Sequence, residues 1–348
     1  MYRITLFFVG FILFSACKSN KKASVDHEHE THTGVPAIVT FLDSLDASTA
    51  IIKDDTDSLF SKINAAEIQI QMKQNFDGVS EDEMKKKYAQ FMKTQVSDWS
   101  NDEKMAMVKL FEEVKEMCDA VSPRIFPGGI RLIKGKTQAY GNDAFFTRGH
   151  NIFVPESIFS AKDSDRWKPV ILHEVFHIIS RYNTQVREDL YRFIGFVKMD
   201  KPVIINDLLK VMVLCNPDGM SVQYATEVQS GDKSIYVVPF ITSKHGKYHT
   251  DKPSYFDYLN FDIYKLGDYG DHYKIQCDPL GKSLVPLSST PGYFDNIKNN
   301  TQYIIHPDEI MADNFMLALI AFQTKDYSKF TPVGKQLIDQ VTNRLQQM

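Results

Sequence analysis

The sequence is poor in cysteine, which limits how the fold can be stabilised. Its 348 residues include four cysteines, Cys17, Cys118, Cys215 and Cys277. Cys17 directly follows an apolar N-terminal run, so we expect three cysteines to remain for the folded part, and they allow at most one internal disulfide. This excludes a fold held together by a disulfide framework. We expect Cys118, Cys215 and Cys277 to be small residues of the hydrophobic core.

An excess of charge of one sign is also missing. The chain has 40 basic and 44 acidic residues, a net charge of -4, and no long basic run. A nucleic acid is therefore not expected as a partner, because its binding depends on neutralising phosphates. Hydrophobic residues make up 43% of the chain, which is enough for a packed core. The length suggests one large domain or two modest ones.

The N-terminal segment has the pattern of an export signal. Arg3 precedes an apolar run over residues 4–16, which is shorter than the roughly 20 residues of a membrane-spanning helix but typical of a signal-peptide core. The run ends in Phe-Ser-Ala-Cys, which resembles the bacterial lipobox, with Phe14 in place of the usual leucine. The resemblance implies that residues 1–16 are removed and that Cys17 carries a lipid. An ordinary cleaved signal is the alternative.

The polar segment that follows is interpreted as a tether. Residues 17–34 would be the lipidated cysteine and a flexible linker, which leaves residues 35–348 for the folded domain. Lipoproteins kept at the inner membrane typically carry aspartate after the cysteine, so Lys18 favours the outer membrane. The stretch DHEHETH could capture a transition metal through His27, His29 and His32, but a solvated linker is the favoured interpretation.

The first part of the domain has a helical pattern of hydrophobic residues. It extends from residue 35 to about residue 122, and Ser80 is placed to cap one of its helices. Ser100 or Asn101 would cap another, which would end at Pro123.

The pattern then changes to that of strands and returns to that of a helix. Residues 129–136 predict one strand, and residues 139–155 predict a hairpin that turns at Arg148–Gly149. A helix follows, with Ser164 or Asp165 as the cap and Pro169 in its first turn.

The remainder of the chain predicts two further helical parts around a long insertion. A helix is expected over residues 185–197, and residues 201–300 predict strands and loops. His306 at or before the cap and Pro307 in the first turn indicate another helix, and residues 332–348 predict a final amphipathic one. The expected fold class is α+β, with a small mixed sheet upstream of a buried helix, helical N- and C-terminal parts and a strand-rich insertion.

The helix VILHEVFHIIS contains three polar residues in an otherwise apolar stretch. His173 and His177 are four residues apart and therefore project from the same face of the helix, one turn apart. That spacing allows two imidazoles to hold one metal ion, and Glu174 lies beside the ion, where it can hold a water. Because the helix is apolar almost all round, these residues are expected to be buried, and buried ionisable groups must be paired or bind metal. Two histidines satisfied by core hydrogen bonds are the alternative.

His-Glu-x-x-His resembles the signature of the zincin metallopeptidases. The long metzincin form needs a glycine and a further histidine where this chain has Ser180 and Asn183. The gluzincin form takes a third ligand from a glutamate on a later helix, often with an aspartate four residues beyond it, and Glu309 and Asp313 have that arrangement. The resemblance implies that Glu309 is the third ligand and that Asp313 binds His173. The interval between His177 and Glu309 is unusually long for a gluzincin, and Glu188 and Glu227 are rival ligands.

The resemblance implies a zinc-dependent peptidase with a zincin-like fold. His173, His177 and Glu309 would bind Zn²⁺, and Glu174 would be the general base. The substrate would be a peptide or protein that pairs with an edge strand, for which residues 145–155 are the candidate. The candidates for stabilising the transition state are Tyr303, His245, Tyr248 and His249, whereas His150 is expected only to belong to the hairpin.

Two other functions stay open. A non-catalytic lipoprotein could keep the metal site and act as a binding scaffold, but Glu174 argues against it because a structural site does not need that residue. A metal-scavenging lipoprotein would use the histidines of the tether instead.

Overall fold

The structure, a computed structural model, covers the folded part of the chain with short gaps. It describes residues 38–54, 58–141, 144–160, 165–219 and 221–348. Residues 1–37, which include the predicted export signal, Cys17 and the histidines of the predicted tether, lie outside these residues, so the interpretation of that segment stays a prediction. Among the described residues, no helix combines the length and the apolar character needed to cross a bilayer.

The N-terminal part is helical, as expected. Ser80 caps α4 by accepting a hydrogen bond from the backbone N–H of Glu83, and Ser100 caps α5 in a reciprocal arrangement with Glu103. The expected end at Pro123 is wrong, because α5 ends at Asp119 and turns follow. The helices are α1 (Ser44–Ile51), α2 (Leu59–Lys62), α3 (Ala65–Met72), α4 (Glu81–Lys93) and α5 (Asn101–Asp119).

A small mixed sheet lies between these helices and the histidine helix. Its strands are β1 (Thr40–Phe41), β2 (Val96–Ser97), β3 (Arg131–Gly135), β4 (Phe146–Arg148) and β5 (Asn151–Pro155). The order is β1-β3-β5-β4, and β2 also pairs with β3. β3 is parallel to β5, whereas β4 is antiparallel to β5 and forms an edge. The hairpin turns at Gly149–His150, one residue later than expected, and Gly149 has a φ of 58° there.

The histidine helix α6 (Lys168–Tyr182) is buried along most of its length. Pro169 is in its first turn, as expected. The capping prediction is wrong for Asp165, because residues 165–167 form a 3₁₀ turn and Trp167 occupies the cap position without a side-chain hydrogen bond; Ser164 lies outside the described residues. Burial of most of the helix requires neighbours on several sides, which α5, α7 (Thr184–Phe193) and α10 (Pro307–Thr324) supply.

The long insertion builds a second, six-stranded sheet. Its order is β6-β8-β9-β10-β11-β7, and all neighbours are antiparallel except β11 and β7. The strand and loop prediction for this region is confirmed. Helix α7 (Thr184–Phe193) ends earlier than expected, because the last residues of the predicted helix belong to β6. The strands are β6 (Phe196–Lys198), β7 (Val203–Ile204), β8 (Tyr224–Ser230), β9 (Lys233–Ser243), β10 (Leu259–Asp268) and β11 (Tyr273–Ile275).

The C-terminal part returns the chain to the histidine helix. The insertion also contains α8 (Asp207–Lys210) and α9 (Gly292–Ile297), after which come α10 (Pro307–Thr324) and α11 (Pro332–Gln346). His306 caps α10 through its side chain, as expected. One hydrophobic core joins α10 and α11 to α5, α6 and α7, so α6 and α10 are held side by side despite their distance in sequence.

The expectation that the three cysteines belong to the hydrophobic core is confirmed for two of them. Cys118 and Cys215 are buried and Cys277 is half-buried, and all three are free thiols.

Candidate metal centre

Two helices bring together the residues that the sequence motif singles out. His173 and His177 lie one turn apart on α6, and their ring centroids are 4.8 Å apart. Glu309, in the first turn of α10, places its carboxylate oxygen Oε2 3.0 Å from Nε2 of His173 and 3.6 Å from Nε2 of His177. The side chains of His177 and Glu309 have no exposed surface, and that of His173 is 12% exposed.

This group fits a metal ion. One ligand atom from each of the three residues lies within 4.8 Å of the others. Nε2 of His177 is fully buried and has no hydrogen-bond partner among the described residues, although leaving a buried polar atom unpaired is costly. A cation between the three groups would satisfy that atom. Two imidazoles and one carboxylate are a donor set that suits zinc. The described part of the chain therefore contains a candidate metal-binding site.

Each histidine also binds an aspartate through its other ring nitrogen. Nδ1 of His173 is 2.8 Å from Asp313, and Nδ1 of His177 is 2.6 Å from Asp308. Such hydrogen bonds fix the tautomer so that Nε2 is the atom that faces the ion, and they raise the basicity of the ligand. Tyr191 in turn donates a hydrogen bond to Asp308. The first contact is the one the gluzincin resemblance implies, whereas no feature of the sequence motif indicates the contact of Asp308 with His177.

The acids control the protonation of the two histidines. Burial alone would lower the pKa of His173, but its hydrogen bonds to Asp313 and Glu309 outweigh this and raise the pKa well above its usual value. Burial also opposes the charged form of His177, yet the nearby acids raise its pKa to about 9. A metal ion must displace these protons, so its binding releases protons into the solvent.

Glu174 is turned toward the same space by the edge strand of the small sheet. Its Oε2 accepts a hydrogen bond of 2.7 Å from the hydroxyl of Thr147, which lies on β4. Burial raises the pKa of Glu174, and the charges of the two histidines lower it only in part. A carboxylate with a raised pKa beside a metal site is suited to accepting and returning a proton.

Of the residues considered for stabilising the transition state, Tyr303 is the one whose ring packs against a proposed metal ligand. Its ring stacks on that of His173 with 5.8 Å between centroids, and burial together with Glu309 and other nearby acids raises its pKa well above the usual value. His245 and His249 instead pack against each other, with centroids 4.7 Å apart, and His245 contacts Tyr258. The structure thus places both histidines outside the ligand group.

The remaining candidates have other partners. Glu188 pairs with Arg192 and Lys198 on the surface of α7, and Glu227 is an exposed residue of β8. Neither rival ligand therefore belongs to the group. His150 stacks on Tyr182, with 4.0 Å between ring centroids, at the turn of the hairpin.

A segment of the insertion reaches the centre unexpectedly. Asn216 donates a hydrogen bond to Oε1 of Glu309, and a carboxylate oxygen of Asp218 lies within 4.8 Å of ligand atoms of both Glu174 and His177. Burial and the charge of Glu174 raise the pKa of Asp218 well above its usual value. The sequence offers only Asn-Pro-Asp-Gly, which indicates a turn and does not indicate what the turn contacts.

Comparison of this chain with protein-family models, with curated proteins and with solved structures finds no match. The function must therefore be inferred from the motif and from the geometry of the centre.

Proposed function

We propose that the protein is a zinc-dependent peptidase whose ion is held by His173, His177 and Glu309. The observation that carries the proposal is the convergence of Glu309 with the two histidines around the unpaired Nε2 of His177. A structural site would need those ligands but would not need a further buried carboxylate beside them. Glu174, which is 4% exposed and hydrogen-bonded to Thr147, supplies that carboxylate.

The chemistry divides between the ion and Glu174. Bound Zn²⁺ supplies a Lewis acid that polarises the scissile carbonyl and brings the pKa of water close to about 7. Glu174 accepts the proton of the attacking water and later passes it to the leaving amine, so the carboxylate is regenerated at the end of each cycle. The hydrogen bond from Thr147 fixes the orientation of the carboxylate during both transfers.

Tyr303 would stabilise the charge that develops on the carbonyl oxygen. Its place against the ring of His173 supports this role, and its raised pKa keeps the hydroxyl protonated, so that it can donate a hydrogen bond.

The substrate would be a peptide in extended conformation. β4 is an edge strand, and its Thr147 contacts Glu174, so a peptide added to this edge would pass the centre. A recess beside the centre has aromatic and aliphatic walls that could receive a side chain. Its lining includes Tyr140, Phe145, Phe146, Tyr255, Leu259 and Tyr303.

We further propose that Cys17 anchors the protein to the outer membrane as an exported lipoprotein, as the lipobox-like segment indicates. Replacement of Cys17 by serine should move the protein from the membrane fraction to the soluble fraction. If the distribution stays the same, another feature anchors the chain or the chain is not anchored.

The peptidase proposal is tested by comparing Glu174→Gln with the wild-type protein in metal analysis and in digestion of a mixed peptide library. The variant keeps all three ligands, so we expect about one zinc per chain and a loss of cleavage of at least about 100-fold. Glu188→Gln is the matched control, since Glu188 is a partly exposed acid outside the centre, and it should retain both properties. A wild-type protein that binds zinc but cleaves no peptide would favour the non-catalytic scaffold.

A further inference from the structure

The edge strand β4 presents one residue whose backbone faces away from the sheet. In the hairpin, Arg148 pairs with Asn151 around a two-residue turn, and Thr147 pairs with Ile152. Hydrogen-bonded and non-hydrogen-bonded pairs alternate in an antiparallel ladder, and the pair that closes a two-residue turn is hydrogen-bonded. The N–H and C=O of Thr147 therefore point outward, where an added strand would bind.

Both outward groups of Thr147 are already bound. Its N–H donates a hydrogen bond of 2.5 Å to Oδ1 of Asp218, and its C=O accepts one of 3.2 Å from Nη2 of Arg181. The same Nη2 donates a hydrogen bond of 2.6 Å to the backbone C=O of Asp218. A segment of the chain itself thus occupies the position that an extended peptide would take.

This segment, Cys215–Asp218, is held at three points. The N–H of Cys215 donates to Glu67, 2.9 Å away, and Asn216 donates to Glu309. At the other end Asp218, which is 5% exposed, brings its carboxylate within reach of His177 and Glu174. All four residues of the segment also line the aromatic recess beside the centre, so the segment covers the edge of β4 and one wall of the recess at once.

We propose that the Cys215–Asp218 segment is an internal inhibitor, in which Asp218 supplies a further carboxylate to the metal and blocks the place of the attacking water and of the substrate strand. The inference rests on the proposed zinc site. A catalytic zinc needs an open position besides its three protein ligands, and Asp218 lies on the side of His177 where Glu174 would hold the water. A substrate must therefore displace Asp218 from Thr147 before it can pair with β4.

The first test is Asp218→Asn, compared with Asp262→Asn as a matched control. Asp262 also accepts hydrogen bonds from backbone N–H groups, but it lies on β10 of the second sheet. The side-chain amide introduced by Asp218→Asn can still accept the bond from Thr147 but has no charge for a cation. We expect a zinc affinity about tenfold lower by chelator competition, a changed visible absorption spectrum after substitution with Co²⁺, and faster cleavage of the peptide library by about tenfold.

The second variant, Arg181→Gln, loosens the segment without changing any carboxylate. We expect it to keep one zinc per chain, to lose that zinc to a chelator faster than the wild-type protein does, and to show the same direction of change in cleavage. The proposal can therefore still be tested with Arg181→Gln if Asp218→Asn fails to fold.

The two proposals fail in different ways. In one outcome, Asp218→Asn changes the zinc affinity and the Co²⁺ spectrum, but neither the wild-type protein nor a variant cleaves any peptide. This result would support the contact of Asp218 with the metal and would reject the peptidase proposal. In another outcome, the wild-type protein cleaves peptides, and Asp218→Asn changes neither the zinc affinity, nor the Co²⁺ spectrum, nor the rate of cleavage. This result would reject the internal inhibitor but would be compatible with the peptidase proposal. Loss of cleavage in Asp218→Asn at unchanged zinc affinity would also reject inhibition, because Asp218 would then assist the reaction.

Discussion

Two glutamates are equally buried in this protein, but their pKa values are shifted in opposite directions. Glu67, on α3, and Glu309, on α10, have no exposed surface. Burial raises the pKa of Glu67 from 4.5 to about 7, and its hydrogen bonds only partly oppose this effect. Burial also acts to raise the pKa of Glu309, but the charges and hydrogen bonds of His177 and His173 outweigh it and lower the pKa.

The difference comes from the partners of the two carboxylates. Glu67 accepts hydrogen bonds from the neutral groups of Gln71, Tyr255 and Cys215, whereas Glu309 faces two imidazoles that can be charged. Neutral donors compensate for lost hydration only in part, while a neighbouring positive charge favours the ionised form directly. Burial of an acid is thus no evidence for a metal site by itself; nearby nitrogen ligands with an unpaired atom are the distinguishing feature.

The largest expected effect comes from Glu309→Gln. An amide is a poor ligand for zinc, and apparent zinc-binding free energies of about 10–16 kcal/mol are shared among only a few ligands. We therefore expect the affinity for zinc, measured by chelator competition, to fall about a thousandfold, together with loss of peptide cleavage. Glu67→Gln is the matched control, equally buried, and should bind zinc as the wild-type protein does, because the oxygen of its amide can still accept the hydrogen bond from the N–H of Cys215. Equal losses in both variants would show that the effect is one of general destabilisation.

The second prediction concerns the pH dependence that Glu67 gives to folding. Between pH 4.5 and about 7 the unfolded chain has lost the proton of Glu67, while the folded protein still holds it. The free energy of unfolding must then decrease as the pH rises through this range, and it levels off above the pKa of the folded state. The decrease amounts to about 3 kcal/mol for a shift of this size.

Urea unfolding of the wild-type protein and of Glu67→Gln at pH 4.5 and pH 8 measures this contribution. The difference in stability between the two proteins should change by about 3 kcal/mol in favour of the variant at the higher pH. Groups common to both proteins, including the histidines of the metal centre, cancel in that difference. A constant difference across the range would mean that Glu67 is ionised in the folded protein.

The sequence predicts the metal centre better than the surroundings of that centre. His173, Glu174 and His177 can be recognised because a helix fixes their relative positions through local spacing. Asp313 has the same advantage relative to Glu309, because both lie on α10. The pairing of the two helices is not local, and only the likeness to gluzincins connected them in advance.

Asp308 and Asp218 show why the rest was missed. In the sequence, Asp308 looks like an ordinary acid in the first turn of a helix, where the helix dipole favours negative charge, although Asp308 also holds Nδ1 of His177. Asp218 follows a proline in a turn between short elements of the insertion, and its contact with Thr147 spans 71 positions of the chain. No periodicity encodes such a contact, since it depends on how the insertion folds back over the first sheet.

The smallest effect is expected from a substitution that changes only how the ligand His173 is held. Asp313→Asn keeps an oxygen that can accept the hydrogen bond from Nδ1 of His173 but removes its charge, so the ring becomes a weaker base. Partners of this kind change metal affinity about 10–100-fold, and we expect a decrease near the lower limit because the hydrogen bond survives. Asp339→Asn, which changes a partly exposed aspartate paired with Lys335 on α11, should leave zinc affinity unchanged. If Asp313→Asn also leaves it unchanged, the charge of Asp313 does not strengthen His173 as a ligand.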